Sequence, residues 1–195
     1  STLFPYTTLF RSNYNIDEPR IRQLIRTIDK RGHEIGLHGS YSTYKNKNQI
    51  QQQLNILQRV IKEEGIEQKH IGIRQHYLRW STPETANNID KARITYDTTL
   101  GYADHAGFRC GTCYEYPFFD IQKRKRLNLL IRPLVIMECS VLGGAYMNMD
   151  IKSAEEYMQK IKNKIKKVDG NFTLLWHNGS FIKKDYRNLY KCLIR

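Results

Sequence analysis

The sequence lacks any long hydrophobic run. Its 195 residues contain no stretch of eighteen apolar residues that could cross a membrane, and no basic-then-apolar signal segment stands at the start. We therefore predict a cytoplasmic chain without a membrane segment. Only four cysteines are present, and Cys110 and Cys113 are the one closely spaced pair. A structural zinc site of the Cys-pair type needs a second pair and is therefore not expected. We predict that the cysteines are reduced thiols.

Several patterns that mark catalytic or binding sites are also missing. There is no serine nucleophile elbow and no glycine-rich phosphate-binding loop, which argues against a serine hydrolase and a nucleotide-binding enzyme. Acidic residues are few, 19 against 32 Lys and Arg, so the formal net charge is +13. The basic residues are spread over nearly every predicted helix, so we predict no nucleic-acid partner, while an anionic partner stays possible. Nothing indicates an oligomeric state.

Residues Ser1 to Ser12 do not fit the rest of the chain. They resemble the peptide that sequencing-adapter DNA would encode if it were translated, so we exclude them from the fold prediction. The alternative is a genuine edge strand, because these residues favour strands. On the first interpretation the natural amino-terminal part is missing, and residues 13–195 form most of a single domain.

Hydrophobic spacing predicts strands that alternate with helices. The predicted helices are Asp17–Lys30 with Asp17 as the cap, Lys47–Glu64, one that starts at Pro83, Ser153–Lys167 and Asp185–Leu193. The predicted strands are a short one that ends at His38, Ile71–Arg74, Ile94–Tyr96, Ile131–Val141, which ends near Glu138 to Ser140, and Phe172–Trp176. Residues 98–120 are rich in Gly and aromatic residues and are predicted to form an irregular lid or binding loop. This order predicts an α/β fold with a parallel sheet, open or closed as a barrel.

Chemically active side chains follow the predicted strands. They are His38, Arg74 with His76, Asp97 and His177. In parallel sheets and barrels, functional groups gather at the carboxyl ends of strands, so we interpret these residues as an enzyme site. Ligand histidines, an acid and a further histidine suit metal-assisted hydrolysis, in which the ion activates water and a histidine protonates the leaving group.

The stretch Gly32 to His38, read as Gly-His-Glu-Ile-Gly-Leu-His, resembles the second motif of the polysaccharide deacetylases. This family has the NodB-homology fold and is also called carbohydrate esterase family four. The resemblance implies that His38 binds a metal, and that a second ligand lies four residues later, where this chain has Ser42. Leu174 to His177 is similar to the fifth motif, whose histidine is the general acid.

Two more motifs extend the resemblance. Arg74 matches the third-motif arginine, which steadies the catalytic base; the proline that usually follows is replaced, and His76 is expected to replace the lost metal ligand. Asp97 resembles the fourth-motif acid and would orient His177. The wording of these stretches is similar to a divergent bacterial branch that is found with surface-polysaccharide genes. The residues expected to contact the substrate are Tyr77, Trp80, Tyr102, Arg109, Trp176 and Asn178.

The resemblance implies an incomplete deformed (β/α) barrel that uses Zn²⁺ or another divalent metal to remove acetyl groups from N-acetylated sugars of a surface polysaccharide or its precursor. The family's first motif, an Asp pair that gives the base and a metal ligand, is absent, since no Asp-Asp occurs in the chain. We therefore expect these 195 residues alone to bind metal poorly and to be inactive. The alternative is a non-catalytic glycan-binding or assembly protein that has lost the metal, as Ser42 suggests. A His76 ring within ligand reach of His38 would favour the enzyme.

Overall fold

The computed structural model describes residues 15–195, so the prediction for residues 1–12 lies outside the described part. The fold is mixed α/β, with helices and a mostly parallel sheet. The helices are α1 (Pro19–Lys30), α2 (Lys47–Glu63), α3 (Glu84–Lys91), α4 (Glu138–Leu142), α5 (Ile151–Lys167) and α6 (Lys184–Ile194). The strands are β1 (Leu37–Gly39), β2 (Gly72–Gln75), β3 (Tyr96–Asp97), β4 (Tyr116–Asp120), β5 (Lys125–Ile131), β6 (Ile136–Met137) and β7 (Leu174–Leu175). Over residues 15–195, none of the helices has the length and apolar character needed to cross a membrane.

The described chain forms two compact units. The first unit comprises residues 15–97 and 117–130, and the second comprises residues 98–116 and 131–195. The first carries the five-stranded sheet and helices α1 to α3, whereas the second carries the β6–β7 pair and helices α4 to α6.

The sheet of the first unit has the strand order β1-β2-β3-β5-β4, and β1, β2 and β3 run parallel. Their register pairs His38 with Arg74 and Ile73 with Asp97. Helix α2 buries Ile50, Leu54 and Val60 on one side, as its hydrophobic spacing predicts. This burial fixes the parallel strands so that their carboxyl ends lie at one edge.

The second unit is built around the parallel pair of β6 and β7, in which Ile136 lies opposite Leu174. Asp150 caps the amino-terminal end of helix α5, and its side chain accepts a hydrogen bond from the Ser153 N–H at 3.0 Å. Its buried side chains recur at helical spacing and belong to one core with residues of α6; they are Ala154, Met158, Ile161 and Ile165.

The predicted helices are present with bounds shifted by at most two residues, but the predicted cap of α1 is wrong. Glu18 occupies the cap position and makes no side-chain cap bond. Asp17 instead forms ion pairs with Arg22 and Arg59, and hydrogen bonds from Arg59 and Arg22 lower the pKa of Asp17 to about 2. Asp17 lies one residue before the cap position, and its carboxylate makes charge-assisted hydrogen bonds to the two arginines instead.

The predicted strand Ile131–Val141 is also wrong. Only Ile136–Met137 is a strand there, Ile131 ends β5, and Glu138 begins helix α4. Pro133 interrupts the apolar run because it has no N–H to donate to a sheet ladder. This apolar run therefore contains the end of β5, strand β6 and the start of helix α4.

The predicted irregular segment 98–120 is shorter than expected. Residues 98–115 contain no strand or helix among the described elements, but Tyr116–Asp120 forms β4. Pro117 lies within β4, which is the last strand in the sheet order, where a missing N–H is tolerated. The four cysteines form no disulfide with one another.

Gly72 illustrates why the first unit needs a small residue in β2. A Cβ at this position would lie 2.1 Å from the ring of Tyr96, whose hydroxyl is held by Glu34. We expect Gly72→Ala to lower the free energy of unfolding by about 1–3 kcal/mol, because the ring must move in a packed core. Urea denaturation measures this loss. Gly179→Ala, where a Cβ would meet no atom within 4 Å, is the control, and equal stability of the two variants would contradict the prediction.

Candidate functional site

A buried carboxylate contacts the imidazole of His177 in the second unit. Glu138 directly follows β6 and is completely buried, and His177 lies two residues after β7. The Oε1 atom of Glu138 lies 2.7 Å from Nδ1 of His177 and accepts the backbone N–H of His177 at 2.9 Å. Because β6 and β7 are parallel neighbours, their carboxyl ends bring the two residues together.

Glu138 Oε1 has a third donor, the Ser180 hydroxyl, at 2.8 Å. Burial acts to raise the pKa of the Glu138 carboxyl, but the hydrogen bonds from His177 and Ser180 prevail and hold this pKa below its ordinary value of 4.5. The second oxygen, Oε2, is buried and has no hydrogen-bond partner within the described part of the chain. The carboxylate is therefore charged, oriented through one oxygen, and able to accept a further ligand through the other.

Hydrogen bonding to Cys139 and to Glu138 raises the pKa of His177 to about 10, although burial of the ring acts in the opposite direction. The imidazole is therefore protonated at neutral pH. Its side chain is 39% exposed, so an external molecule can reach it. Nδ1 is the ring nitrogen that faces the Glu138 carboxylate.

The same place offers a group of metal-ligating side chains. One ligand atom each from Glu138, Cys139 and His177 lies within 4.8 Å of the others, so these residues could hold a metal ion. Within residues 15–195, no other group of three His, Cys, Asp or Glu side chains has ligand atoms this close together. Imidazole, thiolate and carboxylate are all common zinc ligands.

In the first unit, His38 and His76 lie side by side. His38 is in β1 and His76 follows β2, and their ring centres are 5.4 Å apart at an interplanar angle of 72°. The centre of a zinc-bound imidazole lies about 3.2 Å from the ion, so two such rings at a tetrahedral angle have centres roughly 5.2 Å apart. The observed separation therefore fits two imidazoles that share one ion.

The third predicted metal ligand, Ser42, is exposed, and it precedes a short 3-10 turn at Thr43–Lys45. Its neighbour Thr43 is the buried residue, and its hydroxyl lies 2.6 Å from Oε1 of Gln75 at the end of β2. Sequence analysis did not single out Thr43 or Gln75. The structure thus places the histidine pair together and gives Ser42 no comparable buried position.

Arg74 and Asp97 both lie on the sheet of the first unit. Arg74 is opposite His38 in the register, so both side chains emerge on the same face. Asp97 is fully buried and is paired with Ile73, which places it on the other face by strand alternation. The carboxylate on Nδ1 of His177 is that of Glu138, and the orienting role that we predicted for Asp97 stays a prediction.

Two of the predicted sugar contacts lie in the first unit. Tyr77 is 58% exposed, has a left-handed φ of 56°, and packs against His76 with ring centres 4.5 Å apart. Trp80 is half-buried against Phe118 and donates from Nε1 to Thr82. Tyr77 is thus available to a ligand beside the histidine pair, whereas Trp80 has packing and hydrogen-bond partners of its own.

The other four predicted contacts lie in the second unit. Tyr102 stacks on His105 at 4.0 Å, and Arg109 donates to the carbonyl of Gly101 at 2.9 Å, which are packing contacts within the loop. Trp176 packs against Tyr190, while the exposed Asn178 accepts a hydrogen bond from the Gly179 N–H. Of these four, Trp176 and Asn178 are the sequence neighbours of His177.

Comparison with known proteins adds no relative. No protein-family model matches this chain, and no curated protein matches its sequence. The resemblance to the polysaccharide deacetylases therefore stays a prediction.

Sequence analysis missed Glu138 and Cys139. Both directly follow β6, so the tendency of functional groups to lie at the carboxyl ends of strands could have identified them. The predicted strand was expected to end near Glu138 to Ser140, but no role was assigned to either residue. In the structure the strand ends at Met137, so Glu138 lies at its carboxyl end with the other candidates.

The ion pair of His177 should make stability depend on pH. Its pKa is 6.5 in the absence of partners and about 10 in the folded protein, so folding favours the protonated form. The stabilisation is complete below pH 6.5 and is lost as the pH rises through 10. We expect the unfolding free energies of the wild type and His177→Gln to converge over this range, as measured by urea denaturation. A constant difference across these pH values would contradict the raised pKa.

Proposed function

We propose that this chain is part of a zinc-dependent hydrolase that removes acetyl groups from N-acetylated sugars of a surface polysaccharide or its precursor. The proposed architecture is an incomplete deformed (β/α) barrel. The observation that carries the proposal is the buried Glu138 carboxylate on Nδ1 of His177, at the carboxyl ends of two parallel strands. The reaction that we assign to this pair, the removal of acetyl groups, comes from the sequence resemblance.

His177 is the proposed general acid. Hydrolysis of an N-acetyl group releases an amine, which is a poor leaving group until it is protonated. Glu138 holds the imidazole by Nδ1 and keeps it charged, so that the opposite nitrogen can donate the proton to the amine. Ser180 fixes the carboxylate in turn. A dyad of this kind supplies the donor in both the correct charge state and the correct orientation.

His38 and His76 are the proposed zinc ligands, with Ser42 as the third ligand that the resemblance implies. A zinc ion held by these residues would supply Lewis acidity for the acetyl carbonyl and would lower the pKa of a bound water. The separation of the two rings supports the pairing of His38 with His76, and Arg74, on the same sheet face as His38, has the proposed role of orienting the base.

The proposed sugar contact nearest to the histidine pair is Tyr77. An exposed aromatic ring can stack on the apolar face of a sugar, and Tyr77 packs against both His76 and Tyr41. Its left-handed backbone is an uncommon conformation for a bulky residue, and such conformations cluster at ligand sites.

The test is acetate release by the full-length protein from N-acetylglucosamine oligomers. We expect acetate in step with free amine, loss of the activity after treatment with a chelator, and recovery on addition of about one equivalent of zinc. No acetate release together with glycan binding would overturn the hydrolase and support the non-catalytic glycan-binding alternative. Acetate release that is insensitive to chelation would overturn the zinc dependence.

A further inference from the structure

We propose that Glu138, Cys139 and His177 form a separate, inhibitory binding site for a soft divalent ion such as Zn²⁺ or Cd²⁺. The donor atoms already lie within 4.8 Å of one another. In a tetrahedral zinc site, neighbouring ligand atoms are roughly 3.4–3.8 Å apart, so they need to close by about 1 Å. Side-chain rotation of partly exposed Cys139 and His177 can supply this movement.

The Glu138 carboxylate is an independent sign of a ligand. Its side chain is 1% exposed, and Oε2 is buried with no hydrogen-bond partner among residues 15–195. Buried polar atoms are nearly always satisfied, because an unpaired one loses its hydration without compensation. A cation bound to Oε2 would satisfy this oxygen while Oε1 keeps its bond from Ser180.

The donor types select the ion. A thiolate and an imidazole favour zinc or cadmium, whereas magnesium, calcium and manganese prefer sites made of oxygen atoms. Three protein ligands leave a fourth position open, as in zinc sites that exchange their ion or bind an external ligand. The site therefore differs in chemistry from the His38–His76 pair, which has no cysteine.

The inhibitory consequence rests on the proposed function, whereas binding of the ion does not. An ion that takes a nitrogen of His177 removes the proposed proton donor. Deacetylation should therefore rise with the first zinc equivalent and fall as a second ion binds at Cys139.

Binding is tested by cadmium titration of the full-length protein. Coordination by a cysteine gives an ultraviolet charge-transfer band, which reports thiolate ligation and requires no activity. We expect a band that saturates at one thiolate-bound ion per chain in the wild type and is absent in Cys139→Ser. Cys192→Ser is the matched control, because Cys192 is also a partly buried free thiol of the second unit, and it should keep the band.

Glu138→Gln provides a second variant, since it keeps the side-chain shape and should weaken cadmium binding by about tenfold or more. Circular dichroism establishes that each variant is folded. A wild-type band in folded Cys139→Ser, or no band in the wild type, would overturn the site. Cadmium binding without acetate release would refute the proposed function alone, and binding with deacetylation that excess zinc does not inhibit would refute the inhibitory role.

Discussion

His177→Ala should lower kcat for acetate release from N-acetylglucosamine oligomers by about 10²–10⁴-fold, which is the usual contribution of a general acid. The substitution removes the imidazole that Glu138 contacts through Oε1, so the leaving amine loses its proton donor. KM should change little, because the proton is transferred in the transition state rather than on binding. Steady-state kinetics of the full-length protein measures both quantities.

His70→Ala is the control for this prediction. His70 is an exposed histidine of the first unit, and it has no proposed role, so its removal should leave kcat unchanged. A kcat for His177→Ala within about twofold of the wild type would rule out the general acid role. The Glu138 carboxylate would then be a structural partner only.

His38→Ala should remove the catalytic zinc. One of two adjacent imidazoles is lost, and the remaining His76 with a serine hydroxyl makes a weak site. Removal of a residue that only orients a ligand costs roughly 10–100-fold in metal affinity, so the loss of the ligand itself should exceed this range. Elemental analysis of the dialysed full-length protein should give about one zinc per chain in the wild type and close to none in the variant.

His33→Ala is the matched control, since His33 lies five residues before His38 and is exposed outside β1. It should retain the wild-type zinc content. Full zinc in His38→Ala would overturn the assignment of the catalytic ion to the histidine pair. If Cys139→Ser lost that zinc instead, the catalytic ion would be assigned to the second unit.

The sequence predicts the helices well because each has a stripe of apolar residues and a clear end signal. Helix α2 has both, since Leu54 and its neighbours lie on one side and Gly65 follows with a left-handed φ of 66°. The short strands are harder to predict. The apolar run around Pro133 contains the end of one strand, a second strand and a helix, and apolar periodicity alone cannot separate such elements.

The candidate site could be predicted only in part. His38, His76 and His177 were found because each lies at or just after the end of a short strand, and the resemblance implied His76 as a second ligand beside His38, whose ring it contacts. Glu138 could not be assigned as the partner of His177, because 39 positions separate them and the pairing depends on β6 lying beside β7. Which residues meet across neighbouring strands depends on the register of the sheet, and no local sequence pattern specifies it.

The measurement that tests the Glu138–His177 acid most directly is the pH dependence of kcat/KM for acetate release, in the wild type and in Glu138→Gln. With its pKa raised to about 10, His177 should keep the wild type active until the pH approaches that value. In Glu138→Gln the hydrogen bond to Cys139 remains but the carboxylate charge is gone, so the alkaline limb should move down from the wild-type position and stop above 6.5, the ordinary pKa of histidine. An alkaline limb at the same pH in both proteins would contradict the assignment of the proton donor to His177.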